Sequence, residues 1–208
     1  TEDFKVSMAE FGAKETDAGT GLNWYNSVMF CRWLGSELGL PESAQAYPDP
    51  ESLDEIQYPR EQLATGLGAP MDWPILLDRP GFRLPLDNEW EVAARGGART
   101  AFCFGGDQSL LQKFGWYEGN SELHVHSPSE LRPNLRGLFD VHGNLSEWTH
   151  DWYGNFSLER LYRGGNWDNP AKNLRVGDRE TRPPSASSVV HGLRLALSLA
   201  GNSGPARE

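Results

Sequence analysis

Few side chains in this sequence could carry covalent or metal chemistry, and fewer stand at a useful spacing. Two cysteines, Cys31 and Cys103, are too few for a disulfide framework and lack the paired spacing of a zinc site. One disulfide between them stays open, although Cys31 falls on the apolar side of a helical pattern and reads as a small core residue. His124 and His126 stand two apart, so on a strand they would share a face and could share a metal. No third ligand follows at a suitable spacing, and the pair reads as loop residues. No nucleophile-elbow motif supports a Ser-His-Asp triad.

The elements that would position such groups belong to one globular unit. The chain has 208 residues, enough for a sizeable core, with 19 Lys+Arg against 29 Asp+Glu and a formal net charge of −10. No Lys/Arg cluster offsets this acidity, which argues against a nucleic-acid partner. No apolar run approaches the roughly 18 residues of a membrane helix, so no membrane span is expected. Eight Trp and 11% aromatic content argue against disorder. The 23 Gly and 14 Pro follow no Gly-X-Y period and point to a fold rich in turns.

The spacing predicts a short strand over 4–8, a weak helix over 8–14 and a clearer helix over 24–38. Asn23 can cap the last of these, and Gly39 and Pro41 stop it. Residues 41–80 are polar, Pro-punctuated and aperiodic, which is the signature of a long loop. A second helix is expected over 87–95, with Asp87 as cap, Trp90, Ala93 and Ala94 facing inward, and Gly96-Gly97 ending it. Beyond residue 100, apolar pieces at 102–104, 115–117, 137–141, 147–152, 162–167 and 193–199 alternate with Gly, Asn, Asp and Pro, as short strands and structured loops do. No repeat or linker interrupts them. One domain over 1–200 is expected, with a flexible tail over 201–208.

Four segments arrive in a set order. They are Asn23-Trp24-Tyr25 through Cys31-Arg32-Trp33-Leu34; Phe82-Arg83-Leu84-Pro85 through Ala93-Ala94-Arg95-Gly96-Gly97; Gly137-Leu138-Phe139-Asp140-Val141-His142-Gly143-Asn144 through Glu147-Trp148; and Arg163-Gly164-Gly165-Asn166-Trp167. This order resembles the formylglycine-generating enzyme, or sulfatase-modifying factor, family over about residues 3–200. The resemblance implies an α+β fold: a single C-type lectin-like domain with two main helices, short strands and much irregular structure. Members normally begin some tens of residues earlier, so the sequence looks like a piece of a longer chain. The likeness also implies that Trp148, Trp152 and Trp167 fill the core and hydrogen-bond through their indoles. Arg83, Arg95, Arg163, Arg175 and Arg194 would pair internally with acids such as Glu89, Glu91 and Asp151.

The family's founding activity oxidises a substrate cysteine, using two cysteines after the Arg-Gly-Gly turn to hold Cu(I) and the substrate thiol. Soft thiolates suit Cu(I). At the matching positions stand Asn169 and Leu174, which can neither bind Cu(I) nor exchange thiols. Ser146 replaces the oxygen-pocket Trp, and Asn166 replaces the pocket Ser. Neither copper nor oxidase activity is expected. A structural Ca²⁺ is better preserved in the resemblance, with side-chain oxygens from Asp140 and Glu147 and the carbonyls of Gly143 and Leu145. The family's other calcium site lacks its acidic segment after Asn120 and is expected to be lost.

Domains of this kind are often appended to bacterial kinases or proteases, or serve as variable proteins of diversity-generating retroelements. The resemblance therefore implies a non-catalytic binding module whose 167–190 surface meets a protein partner or a small ligand. Its binding residues would be Asn166, Trp167, Asp168, Asn169, Arg175, Asp178 and Glu180. The 182–188 stretch follows the ordinary family pattern, which weakens the retroelement subtype. The alternatives are an enzyme with a re-purposed pocket, where Asp168, Asp178, Glu180, Arg175 and Arg179 do acid–base work, and a purely structural subunit. A partly desolvated carboxylate in a closed pocket would favour the enzyme.

Overall fold

Asn23 starts the first helix: its side-chain oxygen accepts the Asn26 amide at 2.8 Å and satisfies one of the N–H groups a helix start leaves open. In the computed structural model, which describes residues 18–53, 72–154 and 158–198, this helix α1 spans Trp24–Glu37. It buries Trp24, Tyr25, Val28 and Cys31, as the helical spacing requires. The elements expected at 4–8 and 8–14, part of the 41–80 loop and the 201–208 tail lie outside the described residues. Two short 3₁₀ turns, Glu42–Ala44 and Pro50–Ser52, punctuate the described part of that loop.

Helix α2, Asp87–Arg95, has the expected bounds but a different cap. Leu86 occupies the cap position, and Glu89 Oε2 accepts its N–H at 2.9 Å. Asp87 stands one place inside, which leaves its carboxylate free to reach across the fold. Gly96 ends the helix in the left-handed region at φ 58°, where a side chain would be strained. Trp90 and Ala94 are buried, while Ala93 is half-buried.

The strands are β1 (Phe82–Arg83), β2 (Ser146–Trp152), β3 (Arg160–Arg163), β4 (Glu180–Arg182), β5 (His191–Leu193) and β6 (Ala196–Leu197). Four of them form a sheet in the order β4-β3-β2-β5, antiparallel except for the β2–β5 pair. β1 and β6 form a separate antiparallel pair. The pieces expected at 115–117 and 137–141 are not strands, and 102–104 supplies only a bridge from Phe102 to Gly105. The alternating 193–197 run is divided between β5 and β6, because the chain leaves one sheet at Arg194 to join the other.

Packing falls into separate clusters. Trp24, Tyr47, Trp73, Leu84, Trp148 and Tyr162 join α1 to β2 and β3. Trp90, Ala94, Cys103, Val141 and Val176 pack α2 against the loops. Trp24 donates to the Thr149 carbonyl and Trp148 to the Leu22 carbonyl, both at 2.9 Å, so each indole is buried with its polar group satisfied. Trp152 is half-buried and stacks on the Arg160 guanidinium, which lies 3.5 Å from its ring centre and 3.9 Å from that of Trp24. Trp167 departs from expectation: its indole N–H is buried with no partner among the described residues.

Cys31 and Cys103 sit in different clusters and are both free. Burial pushes their thiols up to about 12 and about 11, which leaves almost no thiolate near neutrality.

Candidate functional site

Asp140, Gly143 and Asn144 all have positive φ, which folds 140–144 into a tight turn ahead of β2. Asn144 uses both ends of its amide: Oδ1 accepts the His126 N–H at 2.9 Å and Nδ2 donates to the His126 carbonyl at 3.0 Å. At Gly143 a Cβ would overlap the Trp116 carbonyl, so only glycine lets the two backbones meet. The Gly143 N–H donates to the Gly164 carbonyl at 2.9 Å, which ties this turn to the one leaving β3.

Ser146, Asn166, Asn169 and Leu174, the positions that the resemblance matches to the oxidase site, come together beside these turns. Asn166, only 4% exposed, donates through Nδ2 to Ser146 Oγ at 3.0 Å. Its own N–H is accepted by Asn169 Oδ1 at 3.0 Å, and its Oδ1 accepts the Asp168 N–H at 3.0 Å. Such short polar side chains bond readily to nearby backbone and shape the loop that carries them. Leu174 is fully buried, and its carbonyl lies 2.7 Å from His142 Nδ1. Ser146, Asn166, Asn169 and Leu174 therefore hold the loop together. None of them offers a thiol.

Asn166 is thus buried and shapes the loop from within. Asp168 and Arg175 are exposed; Trp167, Asn169, Asp178 and Glu180 are half-buried. Asn173 Nδ2 joins Asp178 (3.3 Å) to Glu180 (3.2 Å), and Tyr162 Oη donates to Glu180 at 2.8 Å. Burial and the neighbouring Glu180 charge hold the Asp178 carboxyl above the usual carboxylate range. Asp168 shares no hydrogen bond with this group among the described residues.

Arg163 positions the loop, and sequence reasoning did not assign it that task. Its side chain is fully buried; Nε meets Asp87 at 2.5 Å and Nη2 meets Glu91 at 2.8 Å. Nη1 donates to the Val176 carbonyl at 3.0 Å and the Asp178 carbonyl at 2.9 Å. A visible signal was the Asp87–Glu91 spacing, which puts two carboxylates on one face of α2. Of the other arginines expected to pair internally, Arg83 meets Glu89 at 2.5 Å and Arg95 meets Glu91 at 2.8 Å. Asp151 instead accepts the Asp87 N–H at 2.6 Å, and Arg175 forms no ion pair among the described residues.

Asp140, Leu145 and Glu147 line a cavity of about 520 Å³ together with Leu193 and Arg194. Both Glu147 oxygens are occupied, by Arg194 at 2.6 and 2.8 Å and by Trp90 Nε1 at 2.6 Å. Asp140 is less satisfied: Oδ2 accepts the Ser129 N–H at 2.8 Å, while Oδ1 is buried without a partner. Burial and the Glu147 charge hold its carboxyl above the usual range. An orphaned hard oxygen beside a second carboxylate fits a hard cation. No group of three His, Cys, Asp or Glu converges among the described residues, so backbone carbonyls would have to complete the shell. His126 is occupied otherwise, stacked on Trp116 at 3.7 Å with Nε2 on the Ser121 carbonyl and Nδ1 3.5 Å from Glu130.

Residues 9–199 match the Sulfatase-modifying factor enzyme 1-like domain. The chain belongs to this family. Its sulfatase-modifying-factor domain is 29% identical over 136 residues to the Serine/threonine-protein kinase pkn1 of Chlamydia pneumoniae, covering 57% of this chain and 21% of that one. It is 30% identical over 159 residues to the Formylglycine-generating enzyme of Streptomyces coelicolor, covering 62% and 50%. It is also 31% identical over 134 residues to the Inactive C-alpha-formylglycine-generating enzyme 2 of Mus musculus, covering 57% and 44%. These matches span half or less of the relatives' own lengths. The solved structure of Treponema denticola variable protein 1 superposes with a TM-score of 0.73 at 25% identity, over 88% of this chain and 72% of that one. The α+β, C-type lectin-like architecture of the family is the fold seen here.

Proposed function

We propose that this sulfatase-modifying-factor domain is a non-catalytic binding module that presents its 167–190 loop to a protein partner or a small ligand. One observation carries the reading: Ser146, Asn166, Asn169 and Leu174 are consumed in internal packing and leave no copper or thiol chemistry at those positions. A rigid scaffold that carries an exposed loop is the usual arrangement for binding. Here Arg163 anchors the base of the loop, while Asp168, Arg175 and Arg179 stay exposed on it. Likeness to an inactive formylglycine-generating enzyme and to a variable protein supports the same reading.

The test is affinity capture with the full-length chain from its native host, alongside a Cu(I) assay. A stoichiometric partner is expected to be captured by the parent protein and lost on Asp168→Lys. Cu(I)-loaded protein is expected to leave a Cys-X-Pro-X-Arg peptide unmodified. Capture indifferent to loop variants, or aldehyde formation in the peptide, overturns the reading.

The proposal includes a structural Ca²⁺ held by Asp140, Glu147 and the carbonyls of Gly143 and Leu145, with no copper. Bound there, Ca²⁺ would supply the positive charge that the buried Asp140 oxygen lacks. Chelation with EGTA is expected to lower the melting temperature by about 5–10 °C, the effect of removing a ligand present at roughly 100 times its Kd. Asp140→Asn should abolish that shift. Glu147 is the poorer probe, since it also holds Arg194 and Trp90. A melt unchanged by EGTA refutes the site.

A further inference from the structure

A second cavity, of about 360 Å³, opens between the C-terminal end of α2 and the 175–178 turn. It is lined by Arg95, Arg99, Thr100, Arg175, Gly177 and Asp178. Three guanidiniums and one carboxylate are an unusual lining for a chain whose formal net charge is −10.

The three arginines are not equally committed. Arg95 meets Glu91 through Nε at 3.0 Å and Nη2 at 2.8 Å, and the Thr100 carbonyl through Nη1 at 3.2 Å. That leaves two of its five N–H groups, on a guanidinium already held in place. Arg175 spends only Nε, on the Lys172 carbonyl at 2.7 Å. Arg99 is exposed and makes no hydrogen bond or ion pair among the described residues. Three guanidiniums therefore converge on one cavity: Arg95 is paired with Glu91, Asp178 is the one acid in the lining, and Arg99 and Arg175 form no ion pair among the described residues. Guanidinium forks match the geometry of a tetrahedral oxyanion and can bind it bidentately.

Two further features shape the cavity. Gly177 forms part of its wall, and a Cβ there would lie 3.6 Å from Arg95 Nη2, which is ordinary contact. A larger side chain at residue 177 would reach into this space. Asp178 is the one acid in the lining, bonded through Oδ2 to Asn173 at 3.3 Å. Its carboxyl can accept from a donor on the ligand.

We infer that the Arg95–Arg99–Arg175 cavity is a binding site for a phosphate monoester, with Asp178 reading a hydroxyl or ammonium beside the phosphate. The inference rests on the binding-module reading and names a ligand class for it. The phosphate comes either from a small phosphorylated metabolite or from a phosphorylated side chain of a partner protein.

The experiment follows NMR chemical shifts and calorimetry during titration with inorganic phosphate, chloride at matched ionic strength, O-phosphoserine and a phosphoserine hexapeptide. Inorganic phosphate is expected to bind with a Kd of about 1 mM, as a few charge-assisted hydrogen bonds in a solvated pocket allow. Shifts should centre on residues 95–101 and 175–178, and chloride should not reproduce them. Arg99→Ala touches no folded contact and should weaken phosphate at least roughly tenfold at an unchanged melting temperature. Gly177→Val keeps every arginine but fills the space, and should weaken the phosphoesters more than inorganic phosphate. A tighter hexapeptide assigns the site to a phosphorylated protein; a tighter free ester assigns it to a metabolite. Shifts matched by chloride, or binding unchanged by Arg99→Ala, overturn the inference. The two readings fail separately: phosphate binding unchanged by Arg99→Ala rejects the pocket whatever the capture result, and partner capture indifferent to Asp168→Lys rejects the binding module whatever the phosphate result.

Discussion

Arg163→Met is expected to lower the free energy of unfolding by about 3–5 kcal/mol, the cost of leaving buried charges without their partner. Arg163 is 1% exposed and binds Asp87, Glu91 and two carbonyls of the candidate loop. Methionine has nearly the volume but none of the donors, so Asp87 and Glu91 would keep only Arg95 and Arg179. Arg163→Lys should recover part of the loss, because one ammonium keeps the charge but cannot span four acceptors. The same change should release the 175–179 turn. Urea unfolding measures the first effect, and amide exchange at Val176 and Asp178 measures the second. A loss below about 1 kcal/mol with unchanged exchange would remove Arg163 from its place as the loop's anchor.

Acid should unfold this protein early. Burial lowers His142 and His191 to about 4, and burial with the Arg160 charge lowers His150 to about 3, against an ordinary value of 6.5. A histidine kept neutral in the folded state contributes stability that is complete above the unfolded value and is lost as pH falls towards the folded one. Between pH 6.5 and about 4 unfolding takes up as many as three protons at these sites. The corresponding slope is at most about 4 kcal/mol per pH unit. Asp140, Asp151 and Asp178 work in the opposite sense, since their raised carboxyls bind protons first in the folded state. His191→Phe is the diagnostic change. Neither ring nitrogen of His191 has a partner, and the ring packs against Trp148 and Tyr162. Phenylalanine keeps that packing and removes one proton, so the slope of the stability–pH curve should fall by at most about 1.4 kcal/mol per pH unit. An identical slope in the variant would show that His191 does not titrate with folding.

The electrostatics of the loop depend on pairings far apart in the chain. Arg163 reaches Asp87 across 76 residues, and Arg194 reaches Glu147 across 47. The phosphate cavity likewise unites the end of α2 with a turn some 80 residues later. The sequence marks these residues by type and offers Glu91 as an acid for the arginines, but it does not give the Arg163–Asp87 or Arg194–Glu147 pairing.

Local patterns were enough for part of this protein. Asn23 and the apolar spacing of 24–38 define α1, because capping and helical periodicity act within a few residues. The ordered motifs identify the family. Tertiary structure decided the rest. It moved Asp87 from cap to ion pair, divided 193–197 between two sheets and turned Asn166 inward to Ser146. It also left Asp140 unsatisfied while giving Glu147 to Arg194. The physical reason is range. A cap or a helix face is set by neighbours three or four residues away, whereas the partner of a buried charge is set by which turns meet when the strands take their register.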